Sequence, residues 1–224
     1  MLIEDLGQLP YRDAWALQEQ AHEQVQVGAQ ERIFLVEHPP VITYGRRPGV
    51  ERNLLATPER LERRGVEIVQ SDRGGDITFH GPGQLVAYPI IRLASHGFSV
   101  GGYVHTLEAA VIATLAEFNI AASADPAAVG VWTPDRGVSS KICAIGVRIR
   151  RGVSLHGVAL NVNCDLSFFD LIVPCGLSGR RVTSLQQVLA QATPKMERVK
   201  ELLGKHLLIA LNRTDAHQSR QTHD

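Results

Sequence analysis

At 224 residues the chain is long enough to bury the core of one substantial domain. Its 23 basic and 23 acidic side chains cancel to a formal net charge of zero, and 44% of its residues are hydrophobic. That balance belongs to an ordinary globular protein and points to neither nucleic acid nor a membrane as partner. The start, Met1-Leu2-Ile3-Glu4-Asp5, lacks the basic region and apolar run of a signal peptide. The apolar part of 109–118 is too short to span a bilayer. Three cysteines, Cys143, Cys164 and Cys175, form no C-x-x-C pair and are odd in number. They suit reduced thiols in a cytoplasmic protein, and their spacing to the histidines matches no common zinc pattern.

In chain order, residues 2–6 open as a short strand, and Pro10 introduces a helix to about Val27 with Ala14, Leu17, Ala21 and Val25 on one face. Ile33 to Val36 is a buried strand, broken by His38-Pro39-Pro40. Val41 to Tyr44 is the next strand. Thr57-Pro58-Glu59 starts a short helix, with threonine as N-cap and proline in the first turn. Val66 to Val69 is again a strand. Gln84 to Ile91 is almost continuously apolar, as expected of a strand covered on both faces. A long helix over 101–119 buries Val104, Leu107, Val111, Leu115 and Phe118. Val129 to Trp132 is a short strand, and 141–149 and 153–163 are two long ones. Thr183 or Ser184 caps a short helix through Leu189, and Thr193-Pro194 starts a last helix to about Leu211. Residues 1–213 thus read as one α+β domain, with 214–224 a polar tail.

Two stretches stand out. The first is Arg73-Gly74-Gly75-Asp76-Ile77-Thr78-Phe79-His80-Gly81-Pro82-Gly83-Gln84. In Asp76 to His80, alternation sends Ile77 and Phe79 one way and Asp76, Thr78 and His80 the other. Such a strand suits a wall lining a cavity; a hairpin arm turning at Gly81-Pro82-Gly83 fits the local pattern equally. The second is the pair of strands joined at Arg151-Gly152. A two-residue turn there sets Gly146 opposite Gly157 and Ala144 opposite Ala159, all on one face. Side chains this small leave either a slot for something narrow or room for a closely packed helix.

Cys175, between Pro174 and Gly176, is the thiol placed for chemistry, whereas Cys143 and Cys164 lie in or beside strands and read as core thiols. An ordinary thiol of pKa ~8.5 is only a few per cent thiolate near neutrality. Lowering that by about two units takes roughly 2.7 kcal/mol, which one cation can supply. His80, His156, Lys141 and Arg180 are the candidates, with a Cys–His pair the first expectation. Lys141 opens an apolar strand, so its ammonium is open to desolvation.

The motifs together resemble the lipoyl(octanoyl) transferase family. The resemblance rests on R-G-G-D-I-T-F-H-G-P-G-Q-L-V-A-Y-P at 73–89, K-I-C-A-I-G-V at 141–147, H-G-V-A-L-N-V at 156–162 and P-C-G-L-S-G-R-R-V-T-S-L at 174–185. It covers about residues 30–190. It implies a fold shared with lipoate and biotin protein ligases: a mixed sheet and a smaller sheet, with helices outside. It also implies transfer of an octanoyl group from acyl carrier protein to a lysine of lipoyl domains, in 2-oxoacid dehydrogenase subunits and the glycine cleavage H protein, without a cofactor. Under it Cys175 becomes the acyl-thioester nucleophile and Lys141 the group that lowers its pKa. Arg73, Gly74, Gly75, Asp76, Ile77, Thr78, Phe79, His80, Ala144, Ile145, Gly146, Gly157, Val158 and Ala159 become substrate-lining positions. Cys143 departs from the family pattern, which usually has alanine there. An ATP-dependent ligase, a thiol hydrolase and an acyl-binding module are the rival readings; the missing G-x-x-x-x-G-K-[ST] loop speaks for chemistry without ATP.

Overall fold

The computed structural model describes residues 1–173 and 180–212. In chain order the elements are β1 (Leu2–Gln8), α1 (Tyr11–Gln26), β2 (Arg32–Glu37), β3 (Val41–Tyr44), α2 (Pro58–Arg63), β4 (Glu67–Gln70), β5 (Thr78–His80) and β6 (Gln84–Ile90). They continue as α3 (Val100–Ala116), β7 (Ser123–Ala124), β8 (Val131–Asp135), β9 (Val138–Arg150), β10 (Val153–Asn161), β11 (Arg181–Val182), α4 (Leu185–Leu189) and α5 (Met196–Leu211).

Among the described residues the strands form two sheets. The larger runs β1-β2-β6-β10-β9-β8-β7, with β11 joining β9 in parallel beyond the end of the β10 pairing. The β1–β2 pair is also parallel, and the rest is antiparallel. One face of this sheet packs Ile33, Leu35, Leu85 and Leu160 against Leu107, Val111 and Leu115 of α3 and Leu203 and Leu207 of α5. The other packs Phe34, Val36, Val86 and Ile90 against Ala14, Ala21 and Val25 of α1. With both faces covered, every residue of β6 is buried, which accounts for its near-continuous apolar run. The smaller sheet, β4-β3-β5, closes over its own core of Ile42, Ile77, Phe79, Phe169 and Leu171. The fold is α+β, a mixed sheet and a smaller one surrounded by helices.

The hairpin register falls where the turn chemistry puts it. Arg151 and Gly152 both take positive φ, 49° and 78°, as a two-residue turn of the I′ kind requires. Gly146 then pairs with Gly157 and Ala144 with Ala159. Gly81-Pro82-Gly83, by contrast, is not a hairpin turn. β5 pairs with β3 in the small sheet and β6 with β2 and β10 in the large one, so the three residues carry the chain between sheets. The strand before them is shorter than alternation suggests, starting at Thr78 rather than Asp76. Asp76 takes up backbone hydrogen bonding itself, its Oδ1 accepting from the Ile77 N–H at 2.7 Å.

Helix edges shift for similar reasons. Thr57 caps α2 as expected, accepting from the Arg60 N–H. On α1 the buried stripe takes in Gln18, while Leu17 is only half-buried, because the Gln18 amide oxygen accepts the His156 backbone N–H at 2.8 Å. α3 buries Tyr103 rather than Val104, and α5 begins at Met196 with Lys195 as its N-cap. No helix among the described residues is long and apolar enough to cross a membrane.

The end of β3 lies tightly against the loop that leads into β5. A Cβ on Gly45 would lie 2.1 Å from the Gly75 carbonyl oxygen and 2.9 Å from that of Asp76. Gly45→Ala must therefore push backbone apart, and we expect it to cost about 1–3 kcal/mol. Gly101→Ala, in α3 with nothing within 4 Å, should instead gain up to about 1 kcal/mol. Urea unfolding of the two variants beside wild type checks the contrast.

Candidate active site

The wall that the glycine-rich stretch forms is held from three directions. The Arg46 N–H donates to the Arg73 carbonyl at 3.1 Å, the Gly45 N–H to the Asp76 carbonyl at 3.0 Å, and the Gly74 N–H to the Val147 carbonyl of β9 at 3.0 Å. The Arg73 side chain is buried and acts as a clamp: Nε donates to Thr43 Oγ1 at 3.0 Å and Nη2 to the Thr43 carbonyl at 2.6 Å. Asp76 Oδ1 accepts from Asn53 Nδ2 at 2.8 Å, and Arg47 lies 3.7 Å from its Oδ2. Residues 73–76 thus lie as a ridge across β9.

Behind the ridge is a cavity with about 510 Å³ between its walls, open at its mouth. Arg73, Gly75, Asp76, Ile77, Thr78 and His80 form one side; Ala144, Ile145, Gly146, Gly157, Val158 and Ala159 form the floor; Lys141 stands at one edge. Two of the expected lining residues lie elsewhere. Phe79 points into the small-sheet core, stacked on Phe168 at 4.7 Å and edge-on to Phe169 at 5.6 Å, as its place in the strand alternation dictates. Gly74 faces the outer side of the ridge.

The small residues of the floor are small for two reasons. A Cβ on Gly157 would come within 2.1 Å of the Ala87 carbonyl oxygen in β6, and one on Gly146 within 2.9 Å of the Gly74 carbonyl oxygen. Backbone thus fills both places. Ala144 and Ala159 provide the room that the cavity uses.

Tyr11, Val86, Tyr88 and His156 also line the cavity. Of these, only His156 stood out in the sequence. Tyr11 opens α1 and gave no motif signal. Its hydroxyl lies 2.8 Å from Ser71 Oγ and 3.5 Å from His156 Nδ1, and its ring stacks on His80 at 5.8 Å. His156 takes a left-handed backbone, φ 58°, unusual for a histidine in a strand. Its Nε2–H donates to Asp72 Oδ1 at 2.6 Å. Burial holds its pKa below the ordinary histidine value despite the Asp72 bond. His80 is pulled well below by burial, with its Nδ1–H donating to Gln84 Oε1 at 2.7 Å. Each imidazole thus already has a polar partner, Gln84 for His80 and Asp72 for His156.

Lys141 lies within β9, not at its start, and is buried. Its Nζ donates to the Val129 carbonyl at 2.9 Å and sits 4.8 Å from the centre of the Trp132 ring. Cys175 lies outside the described residues. On one side of that segment, Val173 N–H donates to the Asn53 carbonyl at 2.7 Å. On the other, Arg180 lies over the same Trp132 ring at 4.7 Å and pairs with Asp125. Val182 pairs with Lys141 itself. The other two thiols are closed off: burial pushes both Cys143 and Cys164 up to about 12.

The chain is thus a two-sheet domain whose apolar-floored cavity has a buried lysine at its edge. Residues 10–208 match the model of the lipoyl protein ligase A/B catalytic domain. An octanoyltransferase of Chloroflexus aggregans is 47% identical over 206 residues, spanning 91% of this chain and 92% of the relative. One of Nitratidesulfovibrio vulgaris is 45% identical over 208 residues, spanning 93% of each. Among solved structures, the bipartite lipoate protein ligase of Thermoplasma acidophilum, studied with its E2 lipoyl domain, superposes with a TM-score of 0.73 at 17% identity, covering 94% of this chain and 82% of the other. The chain belongs to the lipoyl protein ligase A/B catalytic domain family, on its octanoyltransferase side.

Beside the cavity, His38 Nδ1–H donates to the Leu9 carbonyl at 2.7 Å and its Nε2 accepts from the Tyr88 hydroxyl at 2.8 Å. Burial lowers its pKa from 6.5 to about 4, the Leu9 bond opposing. A depressed histidine favours the fold while neutral. Its contribution is complete above the unfolded pKa of 6.5 and drains away as pH falls toward 4, by about 3 kcal/mol. Denaturant unfolding of His38→Gln, which can keep both hydrogen bonds, should show a shallower fall of stability than wild type between those pH values.

Proposed function

We propose that the chain transfers an octanoyl group from octanoyl-acyl carrier protein to a lysine of lipoyl domains, those of 2-oxoacid dehydrogenase subunits and the glycine cleavage H protein, through a thioester on Cys175. The observation that carries this reading is the cavity whose apolar floor, Ala144 to Gly146 and Val158 to Ala159, runs to the buried ammonium of Lys141. Lys141 and Arg180, the latter just beyond the Cys175 segment in sequence, both lie over the Trp132 ring. Burial pushes Cys143 and Cys164 up to about 12, which supports Cys175 as the nucleophile. The E2 lipoyl domain studied with the Thermoplasma ligase is an acceptor of the same kind. The protein works in the cytoplasm as a single catalytic domain of residues 1–213, and 214–224 is a polar tail.

In the first half-reaction the Cys175 thiolate attacks the donor thioester carbonyl. The tetrahedral oxyanion collapses, the carrier thiolate leaves, and it takes a proton. In the second, the acceptor amine attacks the acyl-enzyme, loses its proton and expels the Cys175 thiolate. A thioester becomes an amide, so the transfer runs downhill without ATP. Lys141 stabilises the thiolate as an ammonium and passes the proton between the half-reactions. Where that proton rests belongs to the pair.

Incubation with octanoyl-acyl carrier protein followed by intact-mass measurement tests the mechanism. Wild type should carry one octanoyl group and pass it to a lipoyl domain. Cys175→Ala should carry none, and Lys141→Ala should acylate about 10²–10⁴-fold more slowly. Transfer by Cys175→Ala that requires ATP would instead make the chain a ligase.

The floor geometry gives a second prediction, on chain length. Ala144→Leu should shift the preferred donor from octanoyl toward shorter chains, read as relative acylation rates of a hexanoyl-to-decanoyl series. Gly157→Leu should fail through misfolding, because the Ala87 carbonyl occupies that space.

A further inference from the structure

The ridge of residues 73–76 has a second side. There, between the ridge, β9 and the start of α3, lies an outer groove of about 930 Å³ including its open face. Its walls are Val104, Ala127, Ala128, Val129 and Val147, with Arg47 at the rim. Val129 exposes half its surface. Gly75, Asp76, Lys141, Ile145 and Gly146 belong to both the groove and the cavity. The two spaces are therefore arms that meet beside Lys141.

We propose that the outer groove receives the pantetheine arm of the thioester donor. This rests on the acyl transfer proposed above. A thioester carbonyl placed at Lys141 has two substituents that must leave in different directions. The cavity is apolar-floored and suits the hydrocarbon chain; among the described residues, the adjoining space that shares Lys141 offers a path for the thiol side. That space is larger, open along one side, and walled by small aliphatic side chains. Such a wall suits a thin chain of methylenes, methyls and amides better than a folded protein surface, and the open side lets the arm continue to the carrier. Binding of the arm contributes to reaction only when it holds the thioester in place, so it appears in the acylation rate.

The test compares octanoyl-pantetheine with octanoyl ethyl thioester, which has the same acyl group and no arm. Acylation of Cys175 by each is followed by intact mass in wild type, Val104→Trp and Ala127→Trp. Wild type should react at least ten times faster with the pantetheine thioester, and both tryptophan variants should bring that ratio close to one. A ratio near one in wild type, or a wild-type ratio kept in both variants, overturns the groove assignment. Adduct formation in those cases leaves the acyl-transfer reading intact. No adduct from either thioester in wild type overturns both. The ratio is internal to each variant, so partial loss of folded protein does not disturb it.

Discussion

The hydrogen bond from Gly74 N–H to the Val147 carbonyl joins the loop between β4 and β5 of the small sheet to the long strand β9 of the large one. Much of the site depends on it. It lays residues 73–76 across β9, and the ridge so formed is what separates cavity from groove. Gly146 is required beneath it because any side chain there meets the Gly74 carbonyl. Arg73 fixes the other flank, spending its donors on Thr43 and on the Gly74 carbonyl, so the loop cannot lift without leaving a buried guanidinium short of partners.

A second tie runs through side-chain amides. Gln84 Oε1 accepts from His80, its Nε2 donates to Asn161 Oδ1 at 2.8 Å, and Asn161 Nδ2 donates to the Thr183 carbonyl at 2.9 Å. The Thr183 N–H closes the chain on the Lys141 carbonyl at 2.9 Å. All four side chains are buried, so each amide orientation is fixed by its neighbours. The wall strand β5 is thereby held in register with the strand that carries Lys141. The cavity wall and the strand carrying Lys141 thus share one hydrogen-bonded frame.

Most elements were legible in the sequence because their signals are local. Thr57-Pro58 caps a helix, Arg151-Gly152 sets a register, and β6 shows by its apolar run that both its faces are covered. Motifs brought out the cavity's lining, since Lys141 and the residues of 73–80, 144–146 and 157–159 come together there apart from Phe79 and Gly74. What stayed hidden depends on contacts between distant segments. Nothing near Tyr11 or Asp72 in the sequence says that they hold His156. Gly146 and Gly157 read as empty space, and only the approach of Gly74 and Ala87 shows it to be filled. The role of Gly81-Pro82-Gly83 hangs on which sheet each neighbour joins, a choice that local pattern leaves open.

The histidines around the cavity are each held by their neighbours. A general base needs a nitrogen that is free to take a proton at working pH. His156 has both ring nitrogens engaged, by Asp72 and Tyr11, and a strained backbone that its contacts with Gln18 and Asp72 must hold in place. His38 is bonded at both nitrogens, and burial depresses it to about 4. His80 is pulled well below the ordinary histidine value by burial, with Arg73 nearby adding to it. Each of these rings keeps a polar end of the cavity neutral and ordered. A cation placed among them would face Arg73 without a carboxylate nearer than Asp72 to offset it. Lys141 sits apart from that cluster, with a carbonyl and an indole face to stabilise its charge.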